Sequence, residues 1–261
     1  MRIALVGNGA IARLLSDFCA RRPDKFSIVG ALGLPADKVS VGTHPIVYSV
    51  DALLALKPDL VVECAGHSAV RAVCGPVLKA GIDLIIVSTG SLADPVLWGE
   101  VSAAAAQGPA KVKLVAGALP GVDALAAAKL AGLDSVTLTS SKPPRAWMGT
   151  PAETTHNLDA IAAPTVLYSG NARSAALAFP KNANVAATAA LAGIGFEKTR
   201  VMLVADPGVT QNVHHLQATG AFGSMALEIH ANPSPDNPKT SHMAALSIMR
   251  VLENEAAAIV I

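Results

Sequence analysis

The chain opens on an unbroken apolar run, Ile3-Ala4-Leu5-Val6, and after a glycine turn its apolar residues recur at helical spacing as Leu14, Leu15, Phe18 and Cys19. A short apolar run bounded by glycine reads as a strand buried on both faces, and the spacing of three to four reads as a helix packed on it. The pattern then repeats. Residues 26–32 form a second apolar run, 51–56 a short helix stopped by Pro58, and 60–65 a third strand. A helix over 70–80 closes at Gly81, and the strands 83–87 and 112–115 flank an alanine-rich helix over 96–106. Strands that alternate with helices call for a doubly wound parallel sheet with right-handed crossovers.

Past Gly117-Ala118-Leu119-Pro120-Gly121 the periodicity changes. Residues 135–140, 201–206, 214–219 and 225–230 alternate apolar with polar positions, which predicts a mainly antiparallel sheet with one face open. Residues 185–191 read as an apolar helix ending near Gly193. The tail reads as a helix over 239–253, with Asn237 as its cap and Pro238 at its first position. The fold class expected is therefore α/β. A doubly wound parallel domain occupies 1–117, an α+β domain 118–238, and the C-terminal helix, 239–261, packs back on the first domain.

Composition narrows the class. The chain is 52% hydrophobic and 3% aromatic, which suits parallel strands covered by helices. Its net charge of +1 comes from scattered residues, so no footprint for nucleic acid or an anionic membrane is expected. Apolar stretches are broken before the ~18 residues of a membrane span. The glycine turn after Val6 also cuts short any signal-peptide core, so a cytoplasmic location is expected. Three cysteines without a C-x-x-C pair point to reduced, buried thiols rather than a disulfide or zinc framework. His44, His156, His230 and His242 have no partners at metal-ligand spacing, so no metal is expected.

The turn itself is Gly7-Asn8-Gly9-Ala10-Ile11-Ala12, a G-x-G-x-x-A stretch between a strand and a helix. The first glycine allows the tight turn, the second lets backbone approach a pyrophosphate, and Ala12 permits close helix packing. At the first strand–helix junction this is the Rossmann fingerprint for NAD or NADP, as against a purely structural turn. Coenzyme contacts are expected from Gly7, Asn8, Gly9, Ala10 and Ile11. Ligands of such sheets bind beyond the strand C-termini, which adds Ala65, Gly66 and His67, the segment 88–90, and Ala118. About 20 residues past the glycines an acid should hold the ribose of NAD. Ala31, Leu32 and Gly33 stand there instead, the nearest acid is Asp37, and Lys38 is the one cation placed to meet a 2′-phosphate.

Beyond the turn, the chain resembles the L-aspartate dehydrogenase family along its whole length. The likeness is carried by GNGAIA at 7–12, VVECAGHSAV at 61–70, VSTGSLAD at 87–94, AGALPGVDAL at 116–125, SSKPPRAW at 140–147, FPKNANVAAT at 179–188, ADPGVTQNVH at 205–214 and NPKTSHMAAL at 237–246. The resemblance implies NAD(P)-dependent oxidation of L-aspartate to iminoaspartate, which hydrolyses to oxaloacetate and ammonia or feeds NAD biosynthesis. It places the catalytic histidine at His214, in Asn212-Val213-His214, and coenzyme contacts at Ala118 and Asn184. It also implies a homodimer. His214 suits a general acid/base because an imidazole titrates ordinarily near pH 6.5. His215 would face the opposite side of an extended strand.

Aspartate carries two carboxylates that need donors. The candidates are Ser140, Ser141 and Lys142, with Lys239 and Thr240 at the expected start of the last helix. Each also has a plainer reading: Asn184 caps the helix that follows it, Lys142 is a solvated loop charge, and residues 239–241 are ordinary helix-start chemistry. Two other functions share this layout, a reductase of a semialdehyde or cyclic imine and a non-catalytic dinucleotide sensor.

Overall fold

The computed structural model describes every residue except Pro35, Asp37, Lys38, Pro235, Asp236 and Ile261, and the side chains of residues 181, 233–234 and 237–240 are likewise not described. The chain forms two compact units, residues 1–115 with 245–261, and residues 116–244.

In the first unit the elements are β1 (Arg2–Val6), α1 (Ala10–Ala20), β2 (Ser27–Leu32), β3 (Ile46–Val47), α2 (Val50–Ala55), β4 (Leu60–Glu63), α3 (His67–Lys79), β5 (Asp83–Ile86), α4 (Pro95–Gln107) and β6 (Val112–Leu114). The strands make one parallel sheet in the order β3-β2-β1-β4-β5-β6. The order reverses between β1 and β4, and it is outside the C-termini of these strands that a doubly wound sheet opens a crevice. Ile3, Leu5, Val62 and Ile85 lie in the core with Leu15 and Phe18 of α1. The apolar runs of β1, β4 and β5 are strands covered on both faces, while β3 and β6 at the sheet edges are half-buried. Asp94 caps α4 by accepting from the amides of Val96 and Leu97.

The second unit contains α5 (Val122–Ala131), β7 (Leu133–Lys142), α6 (Ala152–Thr155), β8 (Thr165–Asn171), α7 (Ala172–Ala178), α8 (Ala183–Ala192), β9 (Arg200–Ala205), β10 (Asn212–Gly220), β11 (Gly223–Ala231), β12 (Pro233–Ser234) and β13 (Asn237–Ser241). Its main sheet runs β11-β10-β7-β9-β8, antiparallel except where β7 meets β9. Along β7, Val136, Leu138 and Ser140 are buried and alternate with half-buried Thr137 and Thr139. That is the period of two that the sequence displays.

The tail departs from the expected helix over 239–253. Residues 237–241 are a strand paired with β12, and the last helix, α9 (His242–Ala256), begins at His242. Extended backbone at Asn237, before Pro238, suits a strand as well as a helix cap, and pairing with β12 carries that extended course through Ser241. The His242 amide donates to the Asn232 carbonyl, closing the hairpin just where the helix begins. Ile248 and Leu252 of α9 join the core around Ile3, Leu5 and Phe18. Glu253 pairs with Arg22 at 2.6 Å and Lys25 at 3.0 Å, and Glu255 pairs with Lys113 at 2.7 Å.

Candidate active site

In the first unit the glycine loop and the loop after β4 meet at the switch point. Gly7 has φ +118, its amide donates to the Leu32 carbonyl at 2.8 Å, and a Cβ built on it would come within 3.1 Å of Ala65. No other residue fits that turn, since a side chain would be both strained and crowded. Gly9 and Gly66 stand at the N-caps of α1 and α3, neither with a side-chain cap, and a Cβ on either meets nothing within 4 Å. Leading amides of an uncapped helix favour an anion. The backbone at Gly9 and Gly66 is thus open to a pyrophosphate, and the residues present fit a dinucleotide.

Asn8 does something the motif did not announce. Its side chain accepts from the Val41 amide and donates to the Val39 carbonyl, both at 2.9 Å, clipping the segment after β2 to the glycine loop. Beneath the same loops lies Glu63, fully buried at the end of β4. Its carboxylate accepts from the amides of Ala65 at 2.9 Å, Gly66 at 2.8 Å and Ser88 at 3.0 Å, and from the Ser88 hydroxyl at 2.9 Å.

In the second unit β10 and β7 are in register with His214 opposite Ser140. Directly opposed residues of an antiparallel pair share a face, and the Ser140 hydroxyl lies 3.0 Å from His214 Nδ1. Both residues are buried, 4% exposed for His214 and 2% for Ser140. Lys142 is two residues beyond Ser140, on the same face by the period of the strand. Its ammonium donates to the Asn182 side-chain carbonyl and lies 5.3 Å from the centre of the Trp147 ring. Trp147 is wholly buried, donates to the Val204 carbonyl at 3.2 Å, and meets Phe179 edge-on. Phe179 opens the short turn that ends at Asn182, so the aromatic pair seats the carbonyl that Lys142 holds.

Burial pushes the His214 imidazole down to about 4, and the nearby Lys142 charge adds to the effect. The ring is therefore neutral near pH 7, with one nitrogen committed to Ser140. Burial holds the thiols of Cys19, Cys64 and Cys74 above the usual range, Cys19 at about 11 and Cys74 at about 12, which keeps them protonated and unreactive.

Two family models divide the chain between them: the NAD-binding domain of homoserine dehydrogenase over residues 7–114, and the C-terminal domain of aspartate dehydrogenase over residues 123–255. L-aspartate dehydrogenase of Ralstonia nicotianae is 44% identical over 99% of both chains, and that of Pseudomonas aeruginosa 41% over 99% of both. The chain belongs to the L-aspartate dehydrogenase family. The crystal structure of aspartate dehydrogenase from Thermotoga maritima superposes with a TM-score of 0.79 at 25% identity, covering 100% of this chain and 99% of that one. A homoserine dehydrogenase from Thiobacillus denitrificans, at 14% identity and a TM-score of 0.60, shares the fold.

Within this family framework the expected site residues fall into distinct places. His214, Ser140 and Lys142 come together on one sheet face. Ser141 does not, because it is paired with Val213 and Val204 and alternation turns it to the other face. Asn184 is exposed in the first turn of α8, and Asn182, not Asn184, occupies the N-cap position. Ala118 is buried in the turn after β6. His67 is the first residue of α3, half-buried. Lys239 and Thr240 lie on β13 rather than in the first turn of a helix, so the helix-dipole argument for them falls, and their side chains lie outside the described residues, as do Asp37 and Lys38. Glu63, Asn182 and Trp147 escaped the sequence reading. The one available signal was a glutamate in an otherwise apolar strand.

Among the described residues no group of His, Cys, Asp and Glu is placed to hold a metal ion, and no helix is long and apolar enough to cross a membrane.

Proposed function

We propose that His214 is the proton acceptor in the NAD(P)-dependent oxidation of L-aspartate to iminoaspartate, which water then converts to oxaloacetate and ammonia. The observation that carries this reading is the buried His214–Ser140 pair with Lys142 two residues along the same face. An ammonium has no lone pair with which to form C=N, so its proton must leave as the hydride leaves Cα. With Nδ1–H donating to Ser140, His214 keeps the lone pair of Nε2 for that proton. The coenzyme, when bound, supplies the hydride acceptor.

Gly7, Gly9, Ala10 and Ile11 hold the pyrophosphate through backbone, with Ala65, Gly66 and His67 forming the facing wall. Asn8 contributes through its clip on residues 39–41. Ala118 and Asn184 take their coenzyme role from the family motifs. Lys142 receives a substrate carboxylate, and its perch above Trp147 limits the directions its ammonium can take. Aspartate on Lys142 also places negative charge near His214, which raises the affinity of the ring for a proton when it must accept one.

The pH dependence follows from the direction of the His214 shift. The base is lost only when His214 is protonated in the free enzyme, so kcat/KM for L-aspartate should stay level as pH falls through 6.5 and decline only toward about 4. Initial rates across that range, with the fold checked by circular dichroism at each pH, test it. A decline centred at 6.5 would place the essential base elsewhere.

The half-buried face of the main sheet in the second unit, which carries Thr137, Thr139 and exposed Val166, supports a homodimer built on this face. Light scattering on the eluting protein should give twice the chain mass of 26.4 kDa. A monomer at working concentration removes the assignment.

A further inference from the structure

Glu63 is a carboxylate at a position with no exposure, in a strand whose other residues, Leu60, Val61 and Val62, are all buried and apolar. Taking such a group out of water costs several kcal/mol unless hydrogen bonds replace its hydration. Four do, and what they attach is informative. None of the donors belongs to a strand of the sheet. The amides of Ala65 and Gly66 lie in the loop between β4 and α3, and the amide and hydroxyl of Ser88 lie in the loop after β5. Ser88 is in turn fixed from the other side, its carbonyl accepting from the Ser91 hydroxyl at 2.8 Å and the Ser91 amide at 3.0 Å. An apolar residue would have served the sheet better, so the buried charge serves the loops.

We infer that Glu63 is a positioning residue for coenzyme binding, setting the course of two adjacent crevice loops by holding their backbone amides from below. This rests on the placement of the coenzyme at the C-terminal ends of β1 and β4. Gly66 shows how the device works. Its φ of +140 turns the chain into α3, and the Glu63 bond to its amide is what holds that turn, since no side chain caps the helix. Tying Gly66 and Ser88 to one carboxylate also fixes the separation of the two loops, and hence the width of the groove that they border. Glu63 itself, being wholly buried under them, touches no ligand.

The test is Glu63→Gln. The amide preserves size but must turn an N–H₂ toward a backbone N–H, either at Ser88 or at the Ala65–Gly66 pair. Dissociation constants for NAD and NADP, measured by fluorescence titration, should rise about tenfold, the effect of losing one hydrogen bond to a charged group. The KM for L-aspartate and kcat at saturating coenzyme should stay within about twofold, a split that general destabilisation would not produce. Should Glu63→Gln fail to fold, Ser88→Ala deletes only the hydroxyl bond and should weaken coenzyme binding about threefold. A lowered melting temperature with unchanged coenzyme affinity in these variants overturns the inference. Gly9→Val, which fills the open space beside the glycine loop, separates the two levels. If it weakens coenzyme binding while Glu63→Gln and Ser88→Ala do not, the positioning role alone is lost. If Gly9→Val leaves affinity untouched, the coenzyme lies elsewhere and this inference is overturned with its premise.

Discussion

Replacing His214 with alanine should lower kcat for L-aspartate about a thousandfold while leaving coenzyme affinity unchanged. The size follows from what the ring does in this environment. A buried imidazole, 3.0 Å from the Ser140 hydroxyl, leaves its second nitrogen for the ammonium proton, so the alanine variant lacks the proposed proton acceptor. His215 cannot substitute, because it is paired with Thr139 and Glu228 and faces the other side of the sheet. Coenzyme affinity should not follow, because the glycine loop proposed to hold the pyrophosphate belongs to the other compact unit. Steady-state kinetics beside a direct coenzyme titration reads both quantities, and an alanine variant of normal kcat would remove His214 from the chemistry.

Lys142→Met should act on the substrate in place of the coenzyme. Methionine keeps most of the length and an apolar stem but removes the donor to Asn182, the ammonium beside the Trp147 ring and the charge proposed to receive a carboxylate. Loss of a charged hydrogen bond predicts a KM for L-aspartate raised roughly 10- to 100-fold, with the coenzyme KM unchanged. A second signature comes with it. Lys142 is the smaller of the two influences that depress His214, so its removal should move the acidic limb of kcat/KM upward from about 4, though not as far as 6.5, because burial, the larger influence, remains. A variant with raised KM and an unmoved limb would separate Lys142 from His214.

Much of the fold is legible from periodicity alone. The strand–helix alternation before Gly117 and the period of two after it are direct projections of what each element buries, and both sheets follow from them. The glycine turn was also readable, because Gly7 has a backbone conformation that the residue type itself announces. The tail was not, because whether residues 237–241 form a helix turn or a strand depends on β12, a partner whose two residues carry no pattern of their own. The plainer reading of Asn184 as a cap does not hold, because α8 begins one residue earlier, after the short turn of residues 180–182 that follows Phe179, whose ring packs on Trp147 more than thirty residues before it.

The site was legible in unequal parts. Nothing in the residues around His214 sets it apart from His215, and the family motifs alone selected it. Its depressed proton affinity needs three dimensions, since a sequence that places a histidine on a strand does not say how deeply β7 and β10 bury it. Ser140 and Ser141 look equivalent along the chain, and only the register of β7 against β10 decides which one meets the ring. Glu63 carries the opposite lesson. A charged residue in an apolar strand was visible, but its meaning depends on amides from two loops that converge only in the folded sheet.

The most direct test of the account is chemical rescue of His214→Ala. With the variant loaded with oxidised coenzyme and mixed with L-aspartate, formation of reduced nicotinamide should be slow, and added imidazole, able to enter the space left by the ring, should restore a measurable part of the rate in proportion to its neutral form. If imidazole gives no acceleration while the variant binds coenzyme and L-aspartate as the parent does, His214 is not the group that takes the proton.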